Sequence, residues 1–197
     1  MKSFVHHEGI GLPLRMSQVD TDQILPSRYL KRLTRSGYED GLFAAWRASP
    51  EFVLNQPAFA NATVMVAGPD FGIGSSREAA VWALQDYGFR VVIAPRFGDI
   101  FLTNAGKSGL LVVPMSEAHV ERLWDYLEAS PGARVSVDLE CCLVSTTEGF
   151  EESFTLDADT RWRLLNGLDE IGITMELETA IVDFESRRPA FKPSLTR

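Results

Sequence analysis

The sequence predicts an α/β fold: a single domain over residues 1–197, with a mixed sheet or barrel core flanked by helices. Three observations carry the prediction. Between residues 63 and 129, buried-strand patterns alternate with helical patterns, which calls for parallel strands joined by helical crossovers. From 133 to 156 the pattern changes to short β segments separated by turns. No internal repeat and no long Pro/Gly/Ser linker divides the 197 residues.

Each element follows from local chemistry. Residues 1–16 mix short apolar pieces with glycine and read as strand and turn. A polar cluster, Asp20-Thr21-Asp22-Gln23, precedes Ile24-Leu25-Pro26. Residues 27–47 are basic and aromatic without clean periodicity, so they read as a loop with a short helix near 40–47. Thr63 to Ala67 is β-branched and apolar and ends at Gly68-Pro69: a buried strand. A glycine-rich turn over 72–78 leads into a helix from Ala79 to Tyr87, with Ala80, Ala83, Leu84 and Tyr87 on one face and Gly88 as the stop. Strands follow at 90–94 and 110–113, with a helix near 97–107 between them. Ser116 is placed to cap a helix running to Ala129, closed by Pro131-Gly132. The segments 134–139, 143–147 and 153–156 read as strands, and helices are expected near 159–166 and 178–187. The stretch 188–197, with two prolines, reads as a C-terminal arm.

Composition narrows the function. The chain is 45% hydrophobic and 23% charged, an ordinary globular balance. Its formal net charge is −8, which repels polyanions on average and points away from nucleic acid. No apolar run spans a bilayer, and the first residues lack a basic-then-apolar leader pattern, so a cytoplasmic location and no membrane partner are expected. The two cysteines, Cys141 and Cys142, are neighbours; an iron–sulfur cluster or structural zinc ordinarily needs more ligands than they supply. On a strand they would face opposite ways and act as packing residues. No metal site is expected on this chain.

The most informative segment is Gly72-x-Gly74-Ser75-Ser76-Arg77-Glu78. A glycine turn between a strand and a helix start gathers free backbone N–H groups, and the helix dipole adds positive potential. Arg77 adds a forked cation suited to a carboxylate. The segment lacks the third glycine of a dinucleotide fingerprint and the lysine of a P-loop. Its bland reading stays open at this point: Ser75 and Glu78 have capping-box spacing. There is no nucleophile elbow, and His6, His7 and His119 are all distant in sequence.

Several motifs in order, however, resemble the swivelling domain of the aconitase superfamily, and within it the small subunits of 3-isopropylmalate dehydratase. They are Val19-Asp20-Thr21-Asp22-Gln23-Ile24, Tyr29-Leu30-Lys31-Arg32, Gly41-Leu42-Phe43, Trp46-Arg47, Gly68 to Glu78, Trp82 to Ala94, Asp99-Ile100-Phe101, Asn104, Gly167-Leu168-Asp169 with Ile171-Gly172, and Glu185 with Pro189-Ala190-Phe191. The resemblance implies a heteromeric hydro-lyase that interconverts 2- and 3-isopropylmalate through 2-isopropylmaleate in leucine biosynthesis. It implies no cofactor on this chain and a four-iron four-sulfur cluster on a large partner subunit. Its implied site has Ser75 as catalytic base, acting as an alkoxide, and Asp22 as a catalytic carboxylate. Ser76 and Arg77 bind a carboxylate of the small dicarboxylate substrate. Leu30, Lys31 and Arg32 belong to a mobile substrate-recognition loop over 27–40, with Leu30 against the alkyl group.

The sequence departs from that family in places. Ala79 stands where the family usually has histidine, Asp70 where asparagine is common, and Val81 where proline is common. Losing the histidine admits a second reading, a paralogue acting on another substituted malate of homoaconitate or methylmalate type. A third, from a different class, is a non-catalytic RNA- or anion-binding domain; the net charge opposes the RNA version.

Overall fold

A computed structural model of the protein describes residues 1–189 and 191. Seven strands form one mixed sheet in the order β4-β3-β2-β1-β5-β6-β7. They are β1 (His6–Leu14), β2 (Ala62–Ala67), β3 (Val91–Ala94), β4 (Leu111–Pro114), β5 (Arg134–Asp138), β6 (Leu143–Thr146) and β7 (Glu151–Ser153). Strands β1 to β4 run parallel, and β5 to β7 are added antiparallel to the far side of β1. The expected alternation over 63–129 is present, with α2 (Glu78–Tyr87), α3 (Asp99–Ser108) and α4 (Glu117–Ala129) between and after the parallel strands. The chain opens with a one-turn α1 (Thr21–Ile24) and closes with α5 (Ala158–Asn166), α6 (Glu170–Met175) and α7 (Glu178–Ser186).

The apolar runs of the parallel strands are unbroken because both faces of the sheet are covered. Leu12, Met65, Ala67, Val92 and Val112 face one core, shared with Ala80, Leu84 and Phe101 of α2 and α3. Val64, Val66, Val91, Ile93, Leu111 and Val113 face a second, shared with Val120, Leu123 and Leu127 of α4 and with Val135, Val137 and Val144. Ser116 caps α4 as its position predicts, accepting from the His119 N–H at 3.2 Å.

Two expectations need correction. Residues 40–47 are a chain of turns, not a helix. Phe43 has φ 48°, outside the helical region, and Gly41 lies so close to Leu25 and Tyr29 that a Cβ there would meet Leu25 at 2.6 Å. The last strand is Glu151–Ser153 rather than 153–156, because Phe154 turns inward and its N–H bonds the Cys142 carbonyl at 2.9 Å. Cys141 and Cys142 sit in the β5–β6 turn, between the expected strands; the Cys141 N–H bonds the Asp138 carboxylate and Cys142 has φ 52°. The short α6, capped by Asp169, has no counterpart in the sequence pattern. Much of the expected arm, Ala190 and residues 192–197, lies outside the described residues.

Candidate functional site

The parallel strands all end on the same edge of the sheet, where doubly wound folds place their ligands. Three of the connections that leave this edge interlock. The β1–α1 connection meets the β2–α2 connection through a parallel bridge between Asp20 and Ile73. The β2–α2 connection meets the β3–α3 connection through a bridge between Phe71 and Phe97. The Gly72 N–H donates to the Val19 carbonyl at 2.7 Å, and the Gly98 N–H to the Phe71 carbonyl at 2.9 Å. Gly72 (φ 75°) and Gly74 (φ 90°) adopt the left-handed conformation that lets the turn double back. A Cβ on Gly72 would lie 2.3 Å from the Phe101 ring.

Asp70 anchors the entry to the turn. It has φ 63°, and its two carboxylate oxygens accept from Arg96 at 2.9 and 3.2 Å. The Arg96 guanidinium holds the Asp70 carboxyl below the usual carboxylate range. Arg96 gives no signal in the sequence, because the pair closes over 26 residues of separation. The capping box of α1 is legible in principle. Asp20 and Gln23 have the required spacing, and each side chain accepts from the other's backbone N–H at 2.8 Å.

The predicted catalytic residues Ser75 and Asp22, and the predicted carboxylate binder Arg77, converge here. Arg77 is the extended N-cap residue of α2, and its guanidinium pairs with the Asp22 carboxylate of α1. The Arg77 side chain is only 16% exposed against 54% for Asp22, so the arginine is the enclosed partner. Ser75 and Ser76 stand exposed just before it. The capping role open to Ser75 is not taken: α2 begins at Glu78 with no side-chain cap. Among the described residues, the backbone N–H groups of Gly74, Ser75, Ser76 and Arg77 make no hydrogen bond. Four consecutive free donors at the start of a ten-residue helix, with a guanidinium beside them, form a cradle for a carboxylate or a developing oxyanion.

The recognition-loop residues lie on the turn that follows α1. Leu30 is 40% exposed within the 3₁₀ segment Ser27–Lys31, and Lys31 is exposed. Arg32 forks onto Asp40 with both contacts at 2.7 Å and lies over the Tyr29 and Tyr38 rings. Each partner stabilises the charge of the other, which raises the arginine pKa and lowers that of the carboxyl. Tyr38 is buried, and its N–H bonds Asp86 of α2 at 2.9 Å. Among the described residues, no hydrogen bond or ion pair joins Leu30, Lys31 or Arg32 to residues 75–77. The loop reaches the turn instead through Arg35, 3.8 Å from Glu78 and packed over the Trp82 ring. Ala79, where a histidine is expected from the resemblance, is buried against the first core.

The thiols do not form a cluster site. Cys141 and Cys142 are adjacent in a turn, and among the described residues no group of three or more His, Cys, Asp or Glu side chains is placed to hold a metal. No helix among the described residues is long and apolar enough to cross a membrane.

Residues 1–118 match the family model of the aconitase C-terminal domain, and residues 170–197 match that of the C-terminal domain of the 3-isopropylmalate dehydratase small subunit. The chain is 58% identical to the 3-isopropylmalate dehydratase small subunit of a Nocardioides species, with 98% of each chain covered. It is 56% identical to that of Streptomyces coelicolor, again over 98% of both. The fold is similar to the crystal structure of 3-isopropylmalate dehydratase from Methanocaldococcus jannaschii. The TM-score is 0.68 at 24% identity, covering 91% of this chain and 99% of that one.

Proposed function

The chain belongs to the small-subunit family of 3-isopropylmalate dehydratase, and from that premise we propose that it is one half of a hydro-lyase that isomerises 2-isopropylmalate and 3-isopropylmalate in the cytoplasm. The observation that carries this reading is the 58% identity to such a subunit over 98% of both chains. The Ser75-Ser76-Arg77 turn beside Asp22 supports it. The other half is a large subunit that holds a four-iron four-sulfur cluster, for which the described residues of this chain offer no fitting ligand set.

The chemistry gives each residue a task. The proton to be removed lies next to a carboxylate and is weakly acidic, so its removal needs a strong base and stabilisation of the charge that develops. Ser75 Oγ, as the alkoxide, takes that proton in dehydration and returns it in hydration. The free N–H groups of 74–77 and the α2 dipole favour the charged form of this hydroxyl. Ser76 and Arg77 bind a substrate carboxylate, and Asp22 aligns the Arg77 fork. Leu30 meets the isopropyl group, while Lys31 and Arg32 flank it. The 27–40 segment is mobile until the large subunit seats over it.

The test is anaerobic co-expression with the cognate large subunit and hydration of 2-isopropylmaleate. Wild type is expected to be active, and Ser75→Ala to lose about three orders of magnitude or more in kcat, the scale of losing an essential catalytic group. An assembled, cluster-loaded complex in which Ser75→Ala retains wild-type kcat refutes the base assignment.

A further inference from the structure

We propose that Thr21 is a positioning residue of the reaction: it locks the Ser75–Ser76 peptide so that the Ser76 N–H faces the substrate. The proposal rests on the reading of the 74–77 turn as the anion cradle.

The Thr21 side chain is buried, at 2% exposure. A buried hydroxyl is kept where it has a partner, and here the partner lies 54 residues away. Thr21 Oγ1 donates to the Ser75 carbonyl at 2.9 Å, and the Thr21 N–H donates to the Ile73 carbonyl at 3.0 Å. One residue therefore grips the carbonyls on both sides of Gly74. That glycine is the point of greatest freedom in the turn. Its φ is 90°, and a Cβ built there would have no neighbour closer than 3.5 Å. Without the grip, the peptides flanking Gly74 are free to rotate.

Peptide geometry converts this grip into function. In a trans peptide the C=O and N–H point in opposite directions. Tying the Ser75 carbonyl down to Thr21 therefore aims the Ser76 N–H away from α1. Tying the Ile73 carbonyl does the same for the Gly74 N–H. Those are two of the four donors without a protein partner. Threonine suits the task because its branched Cβ restricts χ1 and holds the hydroxyl in one direction. The capping box of α1 fixes Thr21 in turn, since Asp20 is locked to Gln23 immediately before it.

Thr21→Val keeps the shape and removes the donor; Thr21→Ser keeps the donor. In the assembled two-subunit enzyme, Thr21→Val is expected to lower kcat about 10- to 100-fold, the scale of a misaligned oxyanion donor, with KM for 2-isopropylmaleate within about 3-fold. Thr21→Ser is expected to recover most of that loss. In the isolated subunit, amide hydrogen exchange at the bonded Gly72 and Thr21 N–H groups, which tie the turn to the α1 connection, is expected to quicken in Thr21→Val and to stay near wild type in Thr21→Ser. Wild-type kcat in Thr21→Val overturns the proposal, as does a loss that Thr21→Ser does not rescue. If the wild-type complex itself proves inactive on this substrate, the functional reading fails, and the exchange experiment alone then decides whether Thr21 holds the turn. Unchanged exchange in Thr21→Val overturns that too.

Discussion

Gly98→Ala isolates how tightly the serine turn is held from behind. Gly98 precedes α3 with φ −66°, a conformation alanine adopts freely, so the substitution carries no backbone penalty. Its cost is steric. A Cβ there would lie 2.5 Å from the Gly72 carbonyl oxygen, 3.0 Å from the Gly72 carbonyl carbon and 3.1 Å from Ile73 Cα. All three are backbone atoms, so no side chain can swing aside. Ordinary contact begins near 3.4 Å, and one of the two connections must therefore move by about 0.9 Å in a close-packed region. Overpacking of this kind costs about 1–3 kcal/mol. The displaced segment leads directly into Ser75 and Arg77, the proposed base and carboxylate binder, and a 1 Å misplacement of groups in such roles costs about 100-fold in rate. Urea unfolding of the isolated subunit should show the stability loss, and steady-state hydration by the complex should show the rate loss. Gly149→Ala is the control: it lies on the β6–β7 turn with φ 85° and open space around it, so it should cost about 1 kcal/mol through its conformation alone and leave kcat unchanged. Wild-type kcat in Gly98→Ala, at any stability, would refute the idea that the β3–α3 connection sets the position of the serine turn.

Two further outcomes concern stability. His7 is half-buried in β1 and hydrogen-bonded to Thr63 Oγ1 at 2.7 Å; burial first, and then the nearby Arg90, hold its pKa below the ordinary 6.5. The unfolded chain therefore binds a proton near pH 6.5 that the folded chain refuses, so this contribution to stability is whole above pH 6.5 and falls as the pH drops below it. Urea midpoints between about pH 7 and pH 5 should decline less steeply in His7→Gln; an identical slope would remove His7 as a cause. Trp124 of α4 donates its indole N–H to the Val66 carbonyl at 2.7 Å, tying the helix to the middle of the sheet. Trp124→Phe leaves that buried carbonyl short of a partner and should cost about 1–3 kcal/mol, read as a fall of several degrees in Tm.

The parallel half of the fold is legible in the sequence because its strands are buried on both faces and its helices on one. Val64 to Ala67, Val91 to Ala94 and Leu111 to Val113 are continuous apolar runs, and the capping and stop residues around α2 and α4 are local signals. The misreadings have local causes too. A helix near 40–47 satisfies composition but not Phe43, whose positive φ accompanies its packing against Trp46 and Phe52. The capping box open to Ser75 and Glu78 does not form, because α2 starts at Glu78 itself with Arg77 as the N-cap; the one at Asp20 and Gln23 caps α1.

By itself, the sequence determined the α/β class, the order of the parallel elements, and the glycine-rich, serine- and arginine-bearing composition of the 72–78 turn. Periodicity, glycine placement and residue type are short-range properties, and those features depend on little else. Only the tertiary structure decided which groups meet. The approach of Asp22 to Arg77, of Thr21 to Ser75 and of Arg96 to Asp70 depends on how three connections stack at one edge of the sheet. These contacts span 26 to 55 residues, and no local preference encodes them. They exist because the two cores fix the strand ends, and with them the loops, within hydrogen-bonding distance of one another.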